Sequence, residues 1–189
     1  MAKSEEAQGD VFLPSGRIRP NLVTDSASAA LTEAVRLARE TRWDSVRSPH
    51  VFMGLLACPD AGMQTWGDRL RADLPKLLGQ FQELFHQDEG DSEAVLVLNR
   101  EFLSDNVIRL LREALNRAVE HSRKRITPMD LLISILTAPN SIVAECFERI
   151  GVTAAKLTEL AVMAEQSLQR DGDAPPNPPD PTDQTSNPG

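Results

Sequence analysis

The sequence predicts an all-α fold made of two copies of one helical unit, and three observations carry that expectation. Val107, Leu110, Leu111, Ala114, Leu115 and Ala118 fall at offsets 0, 3, 4, 7, 8 and 11, one face of an α-helix and no face of a strand. Eighty residues upstream, Ala27, Ala30, Leu31, Ala34, Val35 and Ala38 reproduce all six offsets. The same shift lays VFMGLL (Val51 to Leu56) on LLISIL (Leu131 to Leu136), two runs apolar on nearly every side, as helices at the centre of a bundle are. Thr24 falls on Ser104, Val46 on Ile126 and Pro59 on Pro139. Two copies are too few for a solenoid and predict a pseudo-twofold bundle of about eight helices, each copy burying its apolar stripe against the other.

Residues 1–21 read as a flexible N-terminal extension in which VFLPSGRIRP could dock on the body, and 22–85 as copy one. Its first helix is expected from about Asp25 to Arg42. Ser48-Pro49 opens the second, which ends by Pro59. A shorter helix from about Met63 to Leu70 points Trp66 inward, and Asp73-Leu74-Pro75 opens a fourth to about His86 with Leu77, Leu78, Phe81, Leu84 and Phe85 apolar. Residues 86–101 form an acidic connector, in which Ala94 to Leu98 is apolar enough to pack back or make a short strand.

Copy two, 102–170, repeats the plan. Ser104 is a good N-cap because its hydroxyl can accept from a first-turn amide, and the helix runs to His121. After the basic turn Arg123-Lys124-Arg125, Thr127-Pro128 supplies N-cap and N1 for a helix to Ala138. Asn140 to Ile150 makes a third, ended by Gly151, which suits the left-handed position beyond a helix. Thr153 caps a last helix to about Arg170, with Leu157, Leu160, Ala161, Ala164 and Leu168 on one face. Residues 171–189 hold six prolines and no large apolar side chain, the composition of a disordered tail.

The net charge of −8 says little about a binding surface, because of where it lies. Residues 22–85 sum to −1 and 102–170 to +1, whereas 86–101 and 171–189 carry −4 each. No window approaches the roughly 18 apolar residues of a membrane span, and the N-terminus lacks a signal-peptide apolar core. Cys58 and Cys146 have no metal-like spacing and sit among apolar helical residues, so buried, reduced thiols in a cytoplasmic protein are expected.

These residues resemble the Clp amino-terminal repeat, which forms the N-terminal domain of the Clp unfoldases of the AAA+ class. The resemblance covers about 22–66 and 102–162 and includes VAECFERIGV after Ile142, similar to AARVLxxLGV of the family. A Gly-Thr-Glu-His motif starts the second helix of each family repeat. Arg47-Ser48-Pro49-His50 and Thr127-Pro128-Met129-Asp130 occupy those positions, so His50 matches while Pro49 and Met129 replace both glutamates. In some members those glutamates bind phosphorylated arginine. The resemblance therefore implies a protein-binding site near Pro49, His50, Met129 and Asp130 that is more apolar and does not favour phosphoarginine.

No GxxxxGK[ST] run is present, so no ATPase module is expected, and no clustered His/Cys set suggests a metal or another cofactor. His50 reads as a packed or capping residue rather than a general base, and His86 and His121 as residues suited to helix ends. The expectation is a stand-alone, non-catalytic interaction module, a regulator of Clp-type proteolysis, whose partner is a Clp-type unfoldase or its clients. A monomer, or at most a weak dimer, is expected, with no nucleic acid or membrane partner. The alternative is a helical nucleic-acid-binding regulator using Arg123 to Arg125.

Overall fold

The computed structural model describes residues 10–90 and 95–173. Eight α-helices are present among them: α1 (Asp25–Glu40), α2 (Ser48–Ala57), α3 (Ala61–Leu70), α4 (Leu74–Leu84), α5 (Asp105–Glu120), α6 (Pro128–Thr137), α7 (Ile142–Glu148) and α8 (Ala154–Asp173). Side-chain oxygens of Thr24, Asp60, Asp73, Ser104, Thr127 and Ser141 each accept a first-turn amide, so six helix starts are written into the sequence as caps. Thr153 caps α8 in the same way. Gly151 takes φ 90°, the left-handed conformation that closes the α7 end.

Pseudo-twofold symmetry extends beyond the helices. Short 3₁₀ turns, Pro20–Leu22 and Arg100–Phe102, precede α1 and α5. Val23 forms a parallel bridge with Ile126, and its repeat mate Leu103 forms the same bridge with Val46. Ile126 N–H donates to Leu22 O at 2.7 Å, as Val46 N–H donates to Phe102 O at 2.8 Å. Each copy thus clamps the entry of its first helix onto the loop that follows the first helix of the other. Arg42 and Ser122, eighty residues apart, end α1 and α5 at φ 67° and 58°.

The core joins both copies. Phe52 of α2, Trp66 of α3, Phe81 of α4 and Phe147 of α7 form one aromatic cluster with centroids 4.9 to 6.3 Å apart. Trp66 is fully buried and donates its indole N–H to Leu157 O at 3.1 Å, which satisfies the polar atom that burial would otherwise strand. The central helices are as apolar as expected, with Val51 to Leu56 and Leu131 to Leu136 buried.

Several boundaries differ from expectation. Within the 1–21 extension, the VFLPSGRIRP run that could dock does pack on the body, with Asp10: Val11, Phe12 and Ile18 are buried, Asp10 pairs with Arg112, and Arg100 lies over the Phe12 ring. Residues 95–97 form no strand, yet Leu96 is buried between exposed Val95 and Val97. α8 continues to Asp173, three residues past its expected end. Both cysteines are free but only half-buried, not buried. Residues 1–9, 91–94 and 174–189, part of the expected extension, connector and tail, lie outside the described residues. No single helix among those described is long and apolar enough to cross a membrane.

Candidate functional site

The repeat register brings two equivalent buried hubs to the starts of α2 and α6, and the sequence fills them with different chemistry. In copy two, Asp130 sits three residues after Thr127 in a reciprocal cap. Its carboxylate accepts the Thr127 N–H at 2.9 Å while the Thr127 hydroxyl oxygen accepts the Asp130 N–H at 3.2 Å. Arg117 of α5 donates to Asp130 and to Glu165 of α8, each at 2.7 Å. Arg123 also binds both carboxylates. Asp130 is wholly buried. Burial alone would raise its pKa, but the Arg123 hydrogen bond, the Thr127 amide and Arg117 outweigh it and hold the carboxyl below its ordinary range.

In copy one the same positions carry Leu37, Trp43, His50 and Phe85. His50 is 1% exposed. The Thr41 hydroxyl lies 2.7 Å from Leu37 O and donates there, so Thr41 Oγ1 is left to accept from His50 Nε2 at 3.2 Å. His50 Nδ1 accepts the Arg47 N–H at 2.9 Å. Those partners define a neutral ring protonated on Nε2. Trp43 meets it edge-on, donates its own N–H to Phe85 O at 2.6 Å, and lies under the Arg47 guanidinium.

Burial, with Arg47 adding repulsion, lowers the His50 pKa to about 4. The unfolded chain therefore takes up the proton first. Folding stability contributed by the neutral ring is complete above about pH 6.5 and falls by up to roughly 3 kcal/mol as pH drops through about 4. Urea unfolding compared between the wild type and His50→Gln across that window should show this slope in the wild type alone. Equal slopes would refute the assignment.

All four site residues expected from sequence are buried. Pro49 and His50 open α2, Met129 and Asp130 open α6, and none presents its side chain at the surface. The Met129 and Leu168 side chains both close on Gly62. Sequence reasoning did not single out Arg117, Glu165, Thr41 or Trp43. The signal available was the register itself, which sets Arg117 on buried Leu37 and Glu165 on Phe85.

Beside the copy-two hub lies an open groove of about 420 Å³ between α5, the second half of α6 and the loop into α7. Its floor is Leu110, Ile133, Pro139 and Ile142, and its rim carries Arg109, Glu113, Asn116 and Glu120. Ile142 is 48% exposed. Arg109, Glu113 and Glu120 form no ion pair with a described residue. The groove has a cause in the sequence. Copy one has Gly54 and Ala30 where copy two has Ser134 and Leu110, and α1 contacts α2 more extensively than α5 contacts α6. Ser134 and Leu110 both line the groove.

No protein-family model matches the chain, and no curated protein sequence matches it. Solved structures do. The N-terminal domain of the caseinolytic protease associated chaperone ClpD from Arabidopsis thaliana aligns over 76% of this chain and 94% of its own, with TM-score 0.60 and 17% identity. The Hsp104 N-terminal domain from Candida albicans aligns over 75% and 89%, with TM-score 0.62 and 13% identity. A chain from a structure concerning the ATPase ClpV, the TssB-TssC sheath and the accessory HsiE protein of type VI secretion aligns over 81% and 90%, with TM-score 0.53 and 19% identity. Likeness at this identity speaks to fold and not to activity. The chain has the all-helical fold of the Clp and Hsp104 N-terminal domains.

Proposed function

We propose that the chain is a non-catalytic protein-interaction module of Clp-type proteolysis, and that its binding surface is the groove between α5 and the α6–α7 loop. The expected site at the starts of α2 and α6 moves outward in this reading. Asp130 holds Arg117 from inside, and Ser48, Arg117 and Ile133 reach the groove itself. The observation that carries it is an apolar floor rimmed by charges that the fold does not use. Two glutamates that pair with no described residue, against one arginine, favour a segment with apolar side chains and a basic residue. That segment belongs to a Clp-type unfoldase or one of its clients.

Phosphoarginine is not favoured, because Asp130, the acid nearest the family motif, already serves two arginines. The nucleic-acid alternative also loses support, since Arg123 of the basic turn is committed to Asp130. Calorimetric titration with a leucine-rich peptide bearing one lysine tests the proposal. Ile142→Asp should abolish binding, and Glu113→Lys with Glu120→Lys should weaken it about tenfold. Affinity unchanged in both variants would refute the groove, and tight binding of free phosphoarginine would refute the selectivity.

A further inference from the structure

We propose that the acidic, proline-rich segment 174–189 of this chain docks on the basic turn of its own second repeat, and copy one shows why. After α4, the chain folds back over the turn that ends α1. Gln87 N–H donates to Thr41 O at 2.9 Å, and Arg42 Nη1 donates to Asp88 O at 2.9 Å. Gly90 lies so close to Arg42 that a Cβ there would overlap the Arg42 carbonyl oxygen. An acidic segment following the last helix of copy one thus covers the turn of copy one.

The equivalent turn of copy two, 121–125, is open. A shallow cavity of about 970 Å³ there is lined by Leu22, Leu115, Val119, Arg123, Lys124 and Arg125, among others. Val119 is 62% exposed. Lys124 and Arg125 are exposed and form no ion pair with a described residue, whereas Arg123 is held by Asp130 and Glu165. The surface offers an apolar strip with two uncommitted cations beside it.

Length and charge select the occupant. Glu165 of α8 touches the turn through Arg123, and the helix ends eight residues on at Asp173, about 12 Å further along its axis. The sixteen residues beyond can span roughly 50 Å, so the turn is within reach. They carry Asp180 and Asp183 and no cation. Pro175, Pro178 and Pro181 recur every third residue, as do Asp180 and Asp183. The prolines would meet the apolar strip and the aspartates the cations. The acidic connector is not available for this role, since its Asp88 backbone is already held at the copy-one turn.

Amide chemical shifts of the full chain test the proposal. Asp180→Lys with Asp183→Lys should move the resonances of residues 119–125, and high salt should move those of the wild type the same way. Lys124→Glu with Arg125→Glu should release the segment equally, and combining all four reversals should restore the docked shifts. Resonances of 119–125 that ignore the aspartate reversal would overturn the proposal, as would failure of the four-fold variant to restore them. Shifts that depend on protein concentration would assign the contact to a second copy and overturn docking in cis.

Discussion

Asp130→Asn is expected to destabilise the fold by about 3–5 kcal/mol, the range seen when one partner of a buried ion pair is removed. The loss arises from what is left behind. Arg117 and Arg123 would share Glu165 alone, and the two N–H groups of the new amide would face guanidinium donors where an acceptor stood. Midpoint temperature should fall on the order of 10 °C for a domain of this size. A loss under about 1 kcal/mol would show that the network is a solvated surface cluster. Copy one supplies the control. Carrying Arg117→Leu, His121→Thr, Arg123→Trp, Asp130→His and Glu165→Phe together imports the set already found there, including the hydroxyl that accepts from the imidazole. Replacing a buried ionic cluster by packed groups is often neutral, so this variant should recover most of the stability that Asp130→Asn loses.

The two hubs also show what could be read from the sequence. Apolar offsets report burial directly, so the duplication, the central helices and inward-facing Trp66 were all legible. So was the capping or packing role of His50. Which way Asp130 faces was not legible from its character as an acid. At the third position of a helix a carboxylate either bonds back to the cap or looks outward. Thr127 three residues earlier marks the first choice, and the structure shows it taken. Arg117 and Glu165 carried no such local mark. They are distant in sequence, and only their repeat mates, buried Leu37 and half-buried Phe85, betray that the positions face inward. The groove was harder still, since it follows from Gly54 and Ala30 facing Ser134 and Leu110 across the register, a difference in size rather than in polarity. Docking of the VFLPSGRIRP run was open from sequence, and it rests on Val11, Phe12 and Ile18 finding apolar partners that a three-residue apolar run does not identify.

Gly54 gives the clearest case of one missing methyl setting a helix spacing. A Cβ there would overlap the Ala30 carbonyl oxygen and come within 3.1 Å of Ala34 N, both backbone atoms of α1 that cannot swing aside. Helix propensity alone predicts that Gly→Ala in mid-helix stabilises by about 1 kcal/mol. Overpacking a closed interface costs about 1–3 kcal/mol and at times more, so at Gly54 the clash wins. Gly54→Ala should therefore be destabilising by about 2 kcal/mol or more. Gly79 is the matched control. It lies mid-helix in α4 with nothing within 4 Å of a built Cβ, so Gly79→Ala should stabilise by about 0.5–1 kcal/mol. Urea midpoints for the two variants should move in opposite directions. If Gly54→Ala proved as stabilising as Gly79→Ala, α1 and α2 would have room to part, and the close contact that distinguishes copy one from the grooved copy two would not be set by residue 54.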